Sequence, residues 1–279
     1  MNEMIRKLLR TLQSELPSIK RGKDIAYLHG RRILRIPHEK DFTVLRYFPP
    51  SSDECYIDVG ANQGQSIESI LLAQPNATIV SFEANPSLAE NLAQRYRHRP
   101  NIQIVPKGLS DSAGTFTLFE PSYRGFVYDG LAFLDREAAA SWINEETVFG
   151  FDPAKLSILK VRCQTDTLDA QRLKPIFIKV DVQGYEYNVL NGAWETLRRH
   201  EPVLLVEAFR SDARTVRLLD ELGYEEYYFD GSHLRKGAPN KGPNSFLITS
   251  GRIKTLFGVA KGDYSDISLK AYVAGFGSR

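Results

Sequence analysis

Residues 56–65 read Tyr-Ile-Asp-Val-Gly-Ala-Asn-Gln-Gly-Gln, a hydrophobic run that contains an acid and then passes through two glycines. A strand that turns through glycines into a helix N-terminus brings bare backbone close to a nucleotide. Asp58 narrows the choice of nucleotide. Its carboxylate would repel a pyrophosphate, whereas it suits the amino group of a methionine moiety. The spacing Gly60-Ala-Asn-Gln-Gly64 also lacks the G-x-G-x-x-G of dinucleotide sites. These residues predict an S-adenosylmethionine site, with Gly60, Asn62, Gly64 and Ser66 at the turn.

Further acids stand where later strands should end: Glu83, Ser110-Asp111, Asp181 and Glu207. Carboxylates along one rim repel one another and cost desolvation, so the rim should hold something cationic or rich in hydroxyls. Glu83 lies 19 residues beyond Gly64, the separation at which an acid accepts both ribose hydroxyls; the alternative is a cap for a helix at Pro86. Ser110 and Asp111 either meet the adenine amino group or form a turn with Gly114.

The run Phe177-Ile-Lys-Val-Asp181-Val-Gln-Gly184-Tyr-Glu186 faces the centre of such a site. Methyl transfer to an alcohol needs an aligned acceptor oxygen, loss of its proton and exclusion of water. Asp181 would align the acceptor hydroxyl or take its proton. His233, in Asp230-Gly-Ser-His-Leu-Arg, is an equal candidate for the base, followed by Glu207 and His38, or by no dedicated base at all. Glu186 either shares that work or caps a helix. A divalent metal on Asp181 and Glu207 is a lesser alternative, because no clustered histidines or D-x-D spacing support it, and no metal is expected.

The elements that position these residues follow from periodicity. Strands at Cys55–Val59, Thr78–Glu83, Asn101–Val105, Ile176–Asp181 and Val203–Glu207 alternate with helices at Ser66–Ala73, Ser87–Arg97, Asn188–Arg199 and Ala213–Leu222. Short strands are expected at Thr115–Phe119 and Leu159–Arg162. Tyr224–Phe229 and Ser245–Thr249 are joined by too short a connection for a crossover helix, so they should pair antiparallel. A mainly parallel twisted sheet with a final antiparallel strand is the Rossmann-like class I methyltransferase fold.

Pro49-Pro50-Ser51-Ser52 divides an N-terminal helical extension, residues 1–50, from a domain at 51–250 and a tail at 251–279. The extension should hold an amphipathic helix at 2–16, a short hairpin at Tyr27–Ile36 and a helical turn at Glu39–Tyr47. Its helix would pack on the core or a second subunit rather than on a membrane. Residues 120–158 carry seven spaced aromatics (Tyr123, Phe126, Tyr128, Phe133, Trp142, Phe149, Phe151) with no clear period. They would serve as a lid or stacking platform for the acceptor, or as a flap over a secondary core. Arg124 and Asn244 are loop residues placed to bond acceptor hydroxyls.

The chain has 279 residues, is 42% hydrophobic and 25% charged, and has a net charge of +2. That balance fits a globular protein and gives no footprint for nucleic acid. The charge is uneven, with 11 Lys and Arg against 5 Asp and Glu in residues 1–50. Cys55 and Cys163 should be free buried thiols. No stretch reaches the ~18 apolar residues of a membrane span. Arg6, Lys7 and Arg10 interrupt any signal-peptide core, so a cytoplasmic protein is expected.

The order of several motifs is more specific than the glycine loop alone. Asp58-Val-Gly-Ala-Asn-Gln-Gly64-Gln-Ser66, Phe82-Glu83-Ala-Asn-Pro86, Gly108-Leu-Ser-Asp111 with Gly114, Thr167-Leu-Asp169, Phe177 to Glu186, Val189-Leu-Asn-Gly192-Ala, Pro202 and Glu207 occur in sequence. Over roughly residues 55–250 the chain resembles the FkbM family of S-adenosylmethionine-dependent O-methyltransferases. Gln183 stands where that family usually has Glu, and Ala84 where it often has Pro. The resemblance implies methylation of a hydroxyl on a sugar, glycan or related natural product. The rival readings are a nicotinamide-dependent oxidoreductase, disfavoured by Asp58 and Ala61-Asn62, and a non-catalytic nucleotide-binding partner subunit.

Overall fold

The computed structural model describes residues 3–15, 30–31, 33–237, 244–258 and 264–269. Its strands are β1 (Cys55–Val59), β2 (Ile79–Phe82), β3 (Ile102–Val105), β4 (Gly108–Leu109), β5 (Gly114–Tyr123), β6 (Phe126–Val127) and β7 (Leu156–Asp166). They continue as β8 (Pro175–Val180), β9 (Val203–Glu207), β10 (Tyr224–Phe229), β11 (His233–Lys236), β12 (Asn244–Thr249) and β13 (Asp266–Ser268).

The main sheet runs β13-β11-β10-β12-β9-β8-β1-β2-β3. Strands β3, β2, β1, β8 and β9 are parallel, and β12 enters antiparallel between β9 and β10. This is the Rossmann-like class I methyltransferase order that the alternation predicts, with strand order reversing beside β1. Every residue of β1, β2 and β8 is buried. Such strands, covered on both faces, must read as continuous apolar runs. Register partners sort by face: Tyr56 and Phe177 belong to one core, Ile57 and Ile178 to the other.

The sheet differs from expectation at one edge. β11 forms a hairpin with β10, and β13 pairs beyond it. The His-Leu-Arg-Lys run of β11 is too polar to signal a strand.

Strands β5 and β7 are also longer than expected and leave the main sheet. They pair antiparallel from Gly114↔Thr165 to Tyr123↔Leu156, in a second sheet ordered β4-β7-β5-β6. The aromatic segment caps the end of this ribbon. Tyr123, Phe126, Tyr128, Ile143 and Val148 bury one another in a separate small core.

The helix expected at 188–199 is two helices, Glu186–Asn191 and Trp194–His200. Gly192 lies at the break because the Ser110 carbonyl presses on it: a Cβ there would sit 1.9 Å from that oxygen. The proposed Tyr27–Ile36 hairpin is not formed at residues 30–31 and 33–34, which are helical; residues 27–29 and 32 lie outside the described residues. Residues 16 and 270–279, parts of the expected N-terminal helix and tail, also lie outside them.

The 3-10 helix Lys40–Tyr47 belongs to the main core. Phe42 meets Phe177 edge-on at 6.4 Å, Phe48 meets Phe257 at 5.9 Å, and the Tyr56 hydroxyl donates to the Phe48 carbonyl. Both cysteines are free and buried, and burial pushes each thiol up to about 11.

Candidate active site

Gly60 leaves β1 with φ +87°, and a Cβ there would lie 2.1 Å from the Asp181 carbonyl oxygen. Only glycine lets the end of β1 pass this close to the end of β8. The Gly60 and Ala61 amides donate to the Phe82 carbonyl, at 3.0 and 3.2 Å, so the loop hangs from the tip of β2. Asn62 follows in the left-handed region at φ +47°, where asparagine is tolerated. Gly64, at φ +84°, opens the helix Gln65–Ala73 and is pressed by Leu92 rather than facing a cavity.

Beside this loop lies a cavity of about 540 Å³. Its walls are Gly60 and Asn62, the β2 tip at Glu83–Asn85, Gly108 and Leu109, Phe116 and Leu118 of β5, residues 129–134, and residues 181–183 with Tyr185. The aromatic segment divides between a small core and the cavity wall. Tyr123 and Tyr128 fill its own core, while Asp129–Leu134 close one side of the cavity.

Glu83 is 7% exposed and held from two sides. Asn62 donates its amide to Oε2 at 2.7 Å, and Asn85 donates its amide to Oε1 at 2.8 Å. Burial pushes its carboxyl up to about 7 against those backbone donors. The Ala84 amide also acts on it, and the carboxyl lines the cavity, where its remaining acceptor capacity can take a vicinal diol. It does not cap the following helix; Asn85 does, accepting from the Ser87 amide at 3.0 Å with Pro86 in the first turn.

Asp58 corrects the expectation drawn from it. It is fully buried inside β1, in register with Ser81 on one side and Lys179 on the other. The Ser81 hydroxyl donates to it at 2.9 Å, the Lys179 ammonium lies 4.0 Å away, and Ser66 bonds it from the helix above. Burial pushes Asp58 up, and the Lys179 charge and Ser81 bond pull it back. Asp58 and Ser66 therefore support the floor and do not line the cavity, because a residue inside a strand points into the sheet's packing.

Lys179 carries no sequence expectation, yet it is the hinge of the electrostatics. It donates to Asp181 at 3.0 Å and is 7% exposed. Burial would lower it, but the Asp58 and Asp181 charges raise it, so it stays an ammonium.

Asp181 lines the cavity at the end of β8. Burial pushes its carboxyl up, but Lys179 and a hydrogen bond with Glu207 outweigh that and hold it below the usual range. Glu207, at the end of β9, is raised to about 7 by that same bond and by burial. The two carboxyls share one proton. Gln183 bridges them, its Nε2 lying 3.2 Å from Asp181 Oδ1 and 3.3 Å from Glu207 Oε2. A glutamate there would add a third acceptor where this chain places a donor.

Asn244, the β12 neighbour of Glu207, donates to Glu39 at 2.7 Å. Its amide also lies 3.4 Å from Asp41. Glu39 acts on both Lys179 and Glu207, and His38 feels Lys179 and Asp181. Residues 38–41, expected only as an extension, therefore border the carboxyls of Asp181 and Glu207.

Other candidates stand apart. The Ser110 hydroxyl is 3.3 Å from the Tyr185 hydroxyl at the cavity wall, and Asp111 accepts from Asn188 at 3.0 Å, one layer further out. Arg124 faces Gly150, Tyr123 and Glu15 away from the cavity. Glu186 is buried, accepting from the Gly184 amide at 3.1 Å. His233 is not brought to the site: β11 lies five strands from β1, about 24 Å at ~4.8 Å per strand. Its imidazole faces Ser232 and Asp230 instead. Among the described residues no group of three His, Cys, Asp or Glu could hold a metal ion.

A parallel sheet reversing at β1, a glycine turn over β8 and a carboxylate at the β2 tip define an α/β methyltransferase. The Methyltransferase FkbM domain matches residues 58–226, and the chain belongs to that family. The hexuronic acid methyltransferase AglP of Haloferax volcanii is 26% identical over 168 residues, which are 60% of this chain and 61% of that protein. The chain thus spans about six-tenths of that relative's length. Among solved structures, methyltransferase FkbM from Methylobacillus flagellatus is 16% identical at a TM-score of 0.45, over 75% of this chain and 48% of that one. A SAM-dependent O-methyltransferase from Thermotoga maritima is 11% identical at a TM-score of 0.35, over 75% and 64%.

Proposed function

We propose that this protein is an S-adenosylmethionine-dependent O-methyltransferase acting on a sugar hydroxyl. The observation that supports this reading is one cavity with the buried carboxyl of Glu83 on one wall and that of Asp181, hydrogen-bonded to Glu207, on another.

The residues present fit the cofactor. The loop is bare backbone where a nucleoside must pass, Glu83 keeps acceptor capacity for two ribose hydroxyls, and the volume falls in the range of cofactor sites. When bound, S-adenosylmethionine supplies an electrophilic methyl group on a sulfonium. Glu83, fixed by the Asn62 and Asn85 amides, accepts from the ribose hydroxyls. Residues 129–134 and Tyr185 exclude water from the cavity. Asp181 orients the acceptor hydroxyl and, with Glu207, takes its proton.

The relative's hexuronic acid specificity supports a sugar acceptor. The rim here is itself acidic, with Glu39, Asp41, Asp181 and Glu207 contiguous, so a neutral sugar is favoured over a uronate. The protein is expected to act as a single methyltransferase unit in which Lys40–Tyr47 and Ser250–Phe257 pack into the core of the 51–250 domain.

The fully ionised Asp181–Glu207 pair is the stronger base, because in the singly protonated pair the remaining carboxylate, Asp181, is held below the usual range. The methylation rate is therefore expected to rise as pH increases through about 7, where the pair gives up its shared proton. Asp181→Asn should lower kcat by a factor of about 10²–10⁴ and abolish that rising limb. Methyl transfer from labelled S-adenosylmethionine to a panel of neutral glycosides and uronates, followed from pH 5.5 to 9, checks both. A variant that keeps the wild-type pH profile removes the pair from the mechanism.

A further inference from the structure

The helix Glu3–Glu15 turns its polar side to the protein and its apolar side outward. The Lys7 ammonium lies 4.5 Å over the Phe149 ring and the Arg10 guanidinium 4.8 Å over the Trp142 ring. The Thr11 hydroxyl accepts from the Phe149 amide at 2.9 Å, and Ser14 is 2% exposed. On the other side Ile5, Leu8 and Leu12 are 46%, 50% and 45% exposed. Their spacing keeps them on one stripe of the helix. A helix that only covered a core would bury this stripe and solvate the cations.

We propose that this face docks on an anionic lipid bilayer. The charge distribution selects that occupant. Residues 1–50 carry 11 Lys and Arg against 5 Asp and Glu, whereas the remaining 229 residues carry 25 against 29. A single helix also offers a face only about 20 Å by 10 Å, far below the ~800 Å² per partner of a stable dimer. An anionic surface matches both features: it attracts the basic segment, and it takes up an apolar stripe lying in the interface plane. The Tyr128 hydroxyl donates to the Arg10 carbonyl at 3.4 Å, and the next residues, 129–134, wall the cavity. Docking therefore brings that wall towards the membrane surface.

The test is co-sedimentation of the full chain with vesicles of phosphatidylcholine alone and of an equal mixture with phosphatidylglycerol. The protein is expected to bind the mixed vesicles, with binding reduced by high salt. Leu8→Asp combined with Leu12→Asp should weaken it at least ~tenfold while leaving the melting temperature unchanged. Failure to bind mixed vesicles at low salt overturns the proposal. So does equal binding by the double variant, or a loss of its melting temperature, which would make the face part of the fold. A dimer in solution that the double variant abolishes would assign the face to a second copy instead.

Discussion

Replacing Glu83 with alanine is expected to weaken binding of S-adenosylhomocysteine, the demethylated product, by a factor of about 10²–10⁴. Hydrogen bonds to a charged group contribute about 1.5–3 kcal/mol each, and Glu83 would make two to the ribose hydroxyls. Its loss also frees the Asn62 amide, now fixed at 2.7 Å, so the glycine loop loses its anchor as well. Thermal shift reads the effect. In the wild type, ligand at 100 times its dissociation constant stabilises by about 2.7 kcal/mol, and in Glu83→Ala the same concentration should give almost no rise. A rise with NAD instead of S-adenosylhomocysteine would make the cavity a dinucleotide site.

The second large effect lies beneath the cavity. Lys179→Ala removes the one ammonium between Asp58, 4.0 Å away, and Asp181, 3.0 Å away. It leaves a fully buried carboxyl paired only with the Ser81 and Ser66 hydroxyls. Breaking a buried ion pair from one side costs about 3–5 kcal/mol, or a fall in melting temperature of roughly 10 °C for a chain of this size. Asp58→Asn combined with Lys179→Ala should recover part of that loss, because both buried charges then go together. Calorimetry of the two singles and the double gives the coupling. Additive losses would mean that the two groups do not interact.

The parts of the fold legible in the sequence are those where one physical constraint dominates. β1, β2, β8 and β9 read as apolar runs because they are covered on both faces, and the last three end at or just before an acid. The main helices follow from the spacing of apolar residues, and the antiparallel pairing of β10 with β12 from connection length. The ribbon β5–β7 was legible only in part: it stands away from the main sheet, and Lys160 and Arg162 on its exposed side interrupt the pattern. The break at Gly192 is set by a contact with Ser110 from a distant loop, which no local period carries.

The site divides in the same way. Glu83 and Asp181 follow from topology, since each stands just past a strand end. Asp58 reads as a ligand group in its own motif, and its structural role follows only from Lys179 on the neighbouring strand. The sign was present, for a lysine inside Phe-Ile-Lys-Val requires an acid beside it. His233 sits in a rim-like turn, but a hairpin strand moves that turn to the far edge of the sheet. The contribution of Glu39 depends on Asn244, more than two hundred residues away in sequence, and spacing could not reveal it.

The most direct test is a crystal structure of the protein with S-adenosylhomocysteine. The account predicts ribose hydroxyls on Glu83, the loop Gly60–Asn62 against the nucleoside and the sulfur directed towards Asp181. Ligand density outside this cavity, or a ribose that does not touch Glu83, would contradict it.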